Sequence, residues 1–311
     1  MKRILSVTGI AFLLFFLILY PKEALSASRG GMDLWLNTLL PTLLPFLILT
    51  GFLIHTNTVE KILSPFSRVW NLLLGLSPSG AYAFFLGLLC GYPMGARLAS
   101  DLYVHGKIGK REAEYLTTFS NQPSPAFLTT YLAHSCLGGS VSPAEILGIS
   151  FLSCIVCMMF FRFLFFRGKT TDAPVPCTDK KETSSSSQGT IPDISIMNGF
   201  ETMARLGGYI LLFSLLSACI CPFWRWNPLI RDLAAAGLEI TTGLHQLSQS
   251  HLPMNFLYPV SIALTASGGC CILAQTKSVI DPRLSILPYI CAKILNSAAA
   301  ALIVLFFSHI L

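Results

Sequence analysis

Three ionisable residues lie in apolar surroundings in this sequence, where a charge is costly and usually marks a functional site or a structural partner. Arg97 follows an apolar run, Glu239 lies in the short apolar segment 233–247, and Lys293 lies within the apolar segment 284–307. A cation in such a place can bind an anionic ligand, and a carboxylate can bind a cation or a proton. We therefore take these residues as candidates for binding and assign no catalytic residue.

Hydroxyl side chains follow the acid Glu239 closely, with Thr241 and Thr242 two and three positions later. This combination could ligate a cation, take up a proton or hydrogen-bond a substrate. The alternative is structural, because Glu239 could instead pair with Arg97 or Lys293. The sequence leaves both interpretations open.

Helix-weakening residues interrupt the apolar run before Arg97. Gly91, Pro93 and Gly95 fall within five positions, and Tyr92 lies between them. Glycine and proline both disfavour a helix interior. Irregular backbone at membrane depth survives only where protein or a watery cavity satisfies its polar groups. In a membrane protein, this stretch is therefore a candidate binding site.

A second polar interruption is the twice proline-broken run 121–125, which contains Asn121, Ser124 and Pro125. The second half of the chain places Asn296 among apolar residues in a similar way. These side chains, and the backbone groups freed at a break, could bind a polar ligand. Asn and Ser also join membrane helices to one another, so a structural role stays open.

The composition indicates a membrane protein. Hydrophobic residues make up 53% of the chain, charged residues only 12%, and the mean hydropathy is +0.65, whereas soluble domains have about 25% charged residues. Several apolar runs approach the roughly 20 residues that cross a bilayer. The clearest are residues 4–20, 34–54, 146–166, 206–221 and 284–307. We predict an all-α, polytopic membrane protein with interrupted transmembrane helices and re-entrant hairpins.

The two halves of the chain share an order of features. Each has a long apolar span, then a short polar-tinged segment, then an apolar helix interrupted by glycine, at Gly91 in the first half and Gly268 in the second. Gln275 and Asn296 follow in the second half. Paired interruptions at matching positions are the best sequence pointer to a transporter site. The predicted units are an N-terminal helix and connector (1–29), a first membrane repeat (30–167), a hydrophilic cytoplasmic linker (168–195) and a second membrane repeat (196–311).

Other kinds of chemistry find little support. The net charge of +6 resembles the Lys/Arg excess of cytoplasmic loops more than a nucleic-acid footprint. Most cysteines lie in or beside apolar segments, where Cys behaves as a small hydrophobe, and no His/Cys cluster has zinc spacing. There is no HExxH, GxSxG or P-loop motif. We expect no enzymatic activity, no cofactor, no metal site and no nucleic-acid partner.

A mixed-charge segment joins the two interruptions of the first half, and its simplest interpretation is a solvated face between membrane pieces. Its charged residues are Asp101, Lys107, Lys110, Arg111, Glu112 and Glu114. In the second half, Glu201 and Arg205 are four residues apart and can pair on one helix face.

Three motifs resemble those of the YlbJ family of sporulation integral membrane proteins: LCGYPMGAR at 89–97, NQPSPAF at 121–127 and LEITTG at 238–243. That family carries the nucleoside-recognition Gate domain twice, and the resemblance covers most of the chain from about Gly31 onward. The second half departs from the pattern, because 267–275 keeps the glycine and the glutamine but has two cysteines between them.

The resemblance implies a multi-pass protein in the outer forespore membrane of a spore-forming bacterium, made in the mother cell, that passes dipicolinic acid toward the forespore. Gate-domain proteins are themselves similar to concentrative nucleoside transporters, with inverted repeats and broken helices. The implied partners are a small anionic substrate, a coupling proton or sodium ion and the lipid bilayer, and a homo-oligomer is left open. The expected substrate-binding residues are Gly91, Tyr92, Pro93, Gly95, Arg97, Asn121, Ser124, Pro125, Glu239, Thr241, Thr242, Gly268, Gln275, Lys293 and Asn296.

The cations suit a planar dianion such as dipicolinate. Arg97 and Lys293 could each face a carboxylate, and helix N-termini beside Pro93 or Pro125 would add favourable dipole ends. A neutral nucleoside would need neither cation. A nucleoside or nucleobase carrier, and a non-transporting scaffold for spore cortex or coat assembly, are the alternatives.

Overall fold

The computed structural model describes residues 2–41, 44–45, 47–49, 52, 64–168, 170, 191–224, 227–250 and 252–308. Every regular element in these ranges is helical, which confirms the all-α class. The α-helices are α1 (Lys2–Leu19), α2 (Pro21–Leu34), α3 (Ser67–Leu74), α4 (Pro78–Cys90), α5 (Met94–Val104), α6 (Lys110–Ser120), α7 (Pro143–Phe160), α8 (Ile191–Phe223), α9 (Pro228–Leu238), α10 (Ile240–Gln249), α11 (Met254–Ser267), α12 (Gly269–Val279) and α13 (Leu287–Ser308).

Shorter helical pieces join some of these elements. Trp35–Leu39, Phe127–Cys136 and Phe161–Phe165 are π-helical, and Ser64–Phe66 is a turn of 3₁₀-helix. The segment Phe127–Cys136 begins at the end of the proline-broken run, where Ser124 Oγ accepts a hydrogen bond from the Phe127 N–H at 3.2 Å. This side chain therefore caps the start of the segment, as Ser does at helix N-termini.

Four helices of the described ranges are long and apolar enough to cross a membrane, and two bent pairs bring the number up to six. The four spans are Pro143–Phe165, Pro192–Cys219, Met254–Val279 (α11 and α12 together) and Leu287–Phe307. The bent pairs are Ile10–Leu19 with Pro21–Asn37, at 112°, and Ser67–Leu74 with Pro78–Cys90, at 65°. These spans support the predicted polytopic membrane protein.

Helix α13 lies at the junction of the two halves. It packs against α11 of its own half and against α6 and α7 of the first half. Small side chains allow this close approach: Ala292 joins a core built mainly from the first half, and Ala300 joins a core that both halves form. Small residues at helix contacts are the usual means of close packing in membranes.

The turn between α12 and α13 fixes where α13 begins. The Asp281 N–H donates to Ser100 Oγ in α5 at 2.8 Å, and the Ser285 N–H donates to Glu114 Oε1 in α6 at 2.8 Å. The Arg283 side chain hydrogen-bonds to Asp281 and holds the pKa of that carboxyl below its usual value. The carboxylate therefore stays charged and accepts the Arg283 N–H within the turn.

The structure corrects the solvated-face interpretation for one residue. Glu112 has only 1% of its surface exposed, and its Oε1 accepts the Ser77 N–H at 2.6 Å at the start of α4. A buried acceptor here satisfies a donor that the helix N-terminus leaves without an intrahelical partner. The pair of Glu201 and Arg205 is confirmed, at 2.5 Å.

Segment boundaries also differ from the sequence prediction in places. Helix α8 is longer than the predicted span 206–221, because it begins at Ile191. The predicted spans 146–166 and 284–307 match helical spans of the structure closely. Most of the predicted linker 168–195 and part of the predicted span 34–54 lie outside the described residues.

Candidate functional site

In the part of the chain that the structure describes, two helix interruptions of each half carry residues singled out from the sequence. The α4–α5 break is at residues 91–93 and the break after α6 is at residues 121–124. In the second half, Glu239 separates α9 from α10, and Gly268 separates α11 from α12. The predicted interruptions at Gly91 and Gly268 are therefore confirmed as helix breaks.

The two breaks of the first half pack directly on each other. Gly91 has a φ of +85°, and a Cβ added there would lie 2.7 Å from the Ser124 backbone nitrogen. A Cβ on Gly95 would collide with the Ser120 carbonyl, and one on Gly87 would lie 2.6 Å from the same oxygen. The glycines are required because the backbone of the next break occupies the space of a side chain.

The two breaks of the second half pack in the same way. A Cβ on Gly269 would lie 2.9 Å from the Gly237 carbonyl oxygen at the end of α9, and one on Gly243 would collide with the backbone of Ala236. Gly268 ends α11 in the left-handed region, with a φ of +77°, where glycine carries no steric penalty. Each half thus contributes a pair of breaks held together by glycine contacts.

Lys293 on α13 joins the two pairs. Its Nζ donates to the Asn121 carbonyl oxygen at 2.5 Å and to the Ala266 carbonyl oxygen at 3.3 Å. The same Nζ lies 5.6 Å from the ring centroids of both Tyr92 and Tyr289, within the range of a cation–π interaction. The side chain is buried, with 6% of the residue exposed.

Asn121 is fully buried and contacts the second half through its side chain as well. Its Nδ2 donates to Thr276 Oγ1 at 3.0 Å and to Tyr289 Oη at 3.1 Å, and the Thr276 hydroxyl donates to Tyr289 Oη at 3.3 Å. Lys293, Asn121, Thr276 and Tyr289 therefore form one polar cluster at the junction of the halves.

Asn296 extends this cluster by one turn of α13. Its Nδ2 donates to Gln122 Oε1 at 2.8 Å. The neighbouring Ser297 Oγ donates instead to the Ala263 carbonyl at 2.8 Å, which joins α13 to α11. Two consecutive polar residues of α13 thus face the two halves separately.

Several buried polar atoms around Lys293 have no hydrogen-bond partner in the structure. They are Tyr92 Oη, Asn121 Oδ1, Gln122 Nε2 and Asn296 Oδ1. Buried polar groups are almost always paired, with protein, water or a ligand. The cluster of Tyr92, Asn121, Gln122, Thr276, Tyr289, Lys293 and Asn296, which we call the junction cluster, therefore has unused capacity for a polar ligand.

Glu239 takes neither of the ion pairs considered from the sequence. It has 3% of its surface exposed and accepts three hydrogen bonds from within its own turn, from the Thr241 N–H, the Thr242 N–H and the Thr242 hydroxyl. It is the N-cap of α10.

Arg97 makes contacts of a different kind. Its guanidinium donates to the Thr202 hydroxyl of α8 and lies 3.4 Å from Asp101, one turn further along α5. Its charge is therefore already paired with a carboxylate. The proposal that Arg97 and Lys293 hold one dianion between them stays a prediction.

The other residues named from the sequence take local roles at the breaks. Thr241 contributes its carbonyl as acceptor for the Tyr131 hydroxyl. The Pro125 carbonyl accepts from Thr129 Oγ1 at 2.9 Å, and Gln275 is buried with its Nε2 3.2 Å from Cys271 Sγ. The peptide bond before Pro93 is cis.

Sequence reasoning missed Gln122, Thr276 and Tyr289. Tyr289 lies four residues before Lys293 on α13, and this spacing puts both on one helix face. Gln122 and Thr276 each adjoin a residue that the sequence did single out, Asn121 and Gln275. The four-residue spacing from Lys293 could therefore have pointed to Tyr289. No spacing rule connects Thr276 with Asn121, which meet only in the folded structure.

Comparison with known proteins gives one curated relative. The chain is 24% identical over 330 residues to the sporulation integral membrane protein YlbJ of Bacillus subtilis (strain 168), and the match covers 94% of this chain and 80% of that protein. This similarity supports the predicted relationship to the YlbJ family. Together with the apolar helices, the YlbJ match supports a multi-pass integral membrane protein in a spore-forming bacterium. No family model matches the chain, and no solved structure matches it.

Proposed function

We propose that this protein is a transporter that moves a small anionic metabolite across a membrane during sporulation, with the junction cluster as its binding site. The observation that carries the proposal is the set of unpartnered buried polar atoms around Lys293, at the place where helix breaks of both halves meet. Binding sites of secondary transporters lie at repeat interfaces and are formed by discontinuous helices.

The donors of the cluster suit the oxygen atoms of a carboxylate. A lysine ammonium has three N–H donors, and Lys293 directs two of them at main-chain carbonyls. The third donor, together with Gln122 Nε2 and the Tyr92 hydroxyl, can meet an anionic group. A charge-assisted hydrogen bond of this kind is about twice as strong as a neutral one.

We propose dipicolinate as the anion and the outer forespore membrane as the location. The support is the similarity to YlbJ, which is a sporulation protein by its name, and the resemblance to a family in which passage of dipicolinic acid is implied. Dipicolinate is a small planar dianion, so one carboxylate can take the free donors of the cluster. The tyrosine rings that flank Lys293 offer flat surfaces to its pyridine ring.

Uptake of labelled dipicolinate into proteoliposomes tests this proposal, with and without an imposed proton or sodium gradient. We expect saturable uptake by the wild type and a loss of tenfold or more in Lys293→Gln, since about 1.4 kcal/mol of binding energy corresponds to a factor of ten. Lys277→Gln is the matched control, because Lys277 is an exposed lysine of α12. Equal uptake by wild type and Lys293→Gln would show that the anion does not bind here.

A nucleoside or nucleobase is the second candidate, and a specific observation favours it. Asn121 Oδ1 and Asn296 Oδ1 are unpartnered acceptors, which match the N–H groups of a nucleobase and have no counterpart on dipicolinate. Thermal unfolding of the purified protein with uridine, adenosine or dipicolinate separates the two, because only a bound ligand raises the melting temperature. If neither class binds nor is transported, the scaffold interpretation replaces both.

A further inference from the structure

The Lys293 ammonium is surrounded by groups that commonly bind a free cation. Its Nζ contacts two main-chain carbonyl oxygens and two aromatic ring faces. In the part of the chain that the structure describes, no carboxylate forms an ion pair with this ammonium. Carbonyl oxygens and ring faces attract positive charge, so these four partners hold the ammonium and leave its third N–H donor for another group. The surroundings of Nζ thus suit a positive charge, and the lysine side chain provides that charge.

Both carbonyl ligands belong to the C-terminal ends of interrupted helices. Asn121 directly follows α6, and Ala266 is the next-to-last residue of α11. The last carbonyls of a helix have no intrahelical partner, and the helix dipole places partial negative charge there. One helix comes from each half, so the ammonium neutralises two negative helix ends that face each other.

Free cations occupy comparable positions in other transporter folds, where half-helix C-termini and unwound carbonyls coordinate them. Asn121, whose carbonyl binds Lys293, and Asn296, one turn further along α13, each have an unpartnered side-chain oxygen, and both residues are at most 1% exposed. Such amide oxygens are further oxygen ligands of the kind that potassium filters provide as carbonyl groups.

We propose that the Lys293 ammonium is a covalently attached occupant of a monovalent-cation site formed by the carbonyl ends of α6 and α11. The chain therefore holds its two halves together without a free ion at this position. Removing the side chain beyond Cβ opens a site for sodium, potassium or an alkylammonium ion. This inference concerns the assembly of the halves and stands apart from the substrate that the protein carries.

Chemical rescue of Lys293→Ala tests the proposal. The substitution deletes three methylene groups and the ammonium, which together have the size of propylammonium. The purified full-length variant is compared in propylammonium, sodium, potassium and N-methylglucamine chloride at constant ionic strength, with the salt present from solubilisation onward. We expect Lys293→Ala to melt lower than wild type in N-methylglucamine and to regain stability with increasing propylammonium, sodium or potassium.

Three comparisons make the result decisive. Propanol has the same length without the charge, so equal rescue by propanol would show that the site needs only volume and would overturn the proposal. Lys293→Met fills the space without a charge and should melt low in every salt. Lys277→Ala should not respond to cation type.

Wild-type stability of Lys293→Ala, or no rescue by any small cation, would also overturn the proposal. Because no substrate is added, this result does not depend on the transport assay.

Discussion

At the scale of single residues, Glu239 shows how a buried acid can be stable without a cation. Its two carboxylate oxygens accept hydrogen bonds from the backbone and hydroxyl groups of the turn that follows. Such hydrogen bonds satisfy both oxygens of the buried side chain. The acid is thus explained by the helix start that it caps, and this does not require it to bind substrate.

Replacing Glu239 separates the two roles considered for it. We expect Glu239→Ala to lower the free energy of unfolding by about 1–2 kcal/mol, the upper part of the range for loss of an N-cap, and Glu239→Asp to lower it less. Thermal unfolding in detergent measures this. Glu201→Ala is the control, because Glu201 is an exposed member of a surface pair and should matter little. Unchanged stability with lost uptake would instead assign Glu239 to the ligand or a coupling proton.

Their charge within apolar segments singled out Lys293 and Glu239 in the sequence as buried groups that need specific partners. It was not enough to assign those partners. Glu239 is satisfied within its own turn, and Lys293 by carbonyl oxygens that every residue has. Main-chain partners leave no trace in residue types, so the sequence could not predict them.

At the scale of elements, the glycines set how closely the breaks can approach. A Cβ on Gly95 would collide with the Ser120 carbonyl, whereas a Cβ on Gly148 in α7 would meet nothing within 4 Å. We expect Gly95→Ala to destabilise the protein by about 1–3 kcal/mol, as overpacking does. Gly148→Ala should be neutral or stabilise by up to about 1 kcal/mol, since alanine favours a helix.

Thermal unfolding of both glycine variants, side by side, measures the difference. Equal melting temperatures for Gly95→Ala and Gly148→Ala would mean that α5 can move away from the end of α6 at little cost. The glycine and proline spacing did predict the breaks at residues 91–93 and at Gly268. It did not reveal which backbone atoms fill the space above each glycine, because that depends on tertiary packing.

At the scale of the whole molecule, the two halves are joined by many contacts outside the linker. They include the hydrogen bonds from Lys293 to Asn121, from the Trp35 indole to the Met203 carbonyl at 2.8 Å, and from the turn at residues 281–285 to α5 and α6. Most of the linker lies outside the described residues. Our expectation that the two halves associate therefore rests on these contacts.

We expect residues 1–170 and 191–311, co-expressed as separate chains with a tag on only one, to be purified together. The reason is that α13 packs into the first half along α6 and α7. Affinity purification followed by size exclusion measures the association, and the same pair carrying Lys293→Met should associate less. Recovery of the tagged half alone would mean that the linker is needed to hold the halves together. The matched order of features predicted two halves, but not that one lysine contacts both.

The continuity of α13 has a mechanical consequence. Its 22 residues form a rod of about 33 Å, close to the thickness of a bilayer core, and a rod cannot change length without breaking its own hydrogen bonds. The helices around it are interrupted, so their hydrogen-bond ladders stop at each break. Lys293 of α13 donates to a carbonyl at the end of α6 and to one at the end of α11, so any separation of these two ends must first break one of those hydrogen bonds.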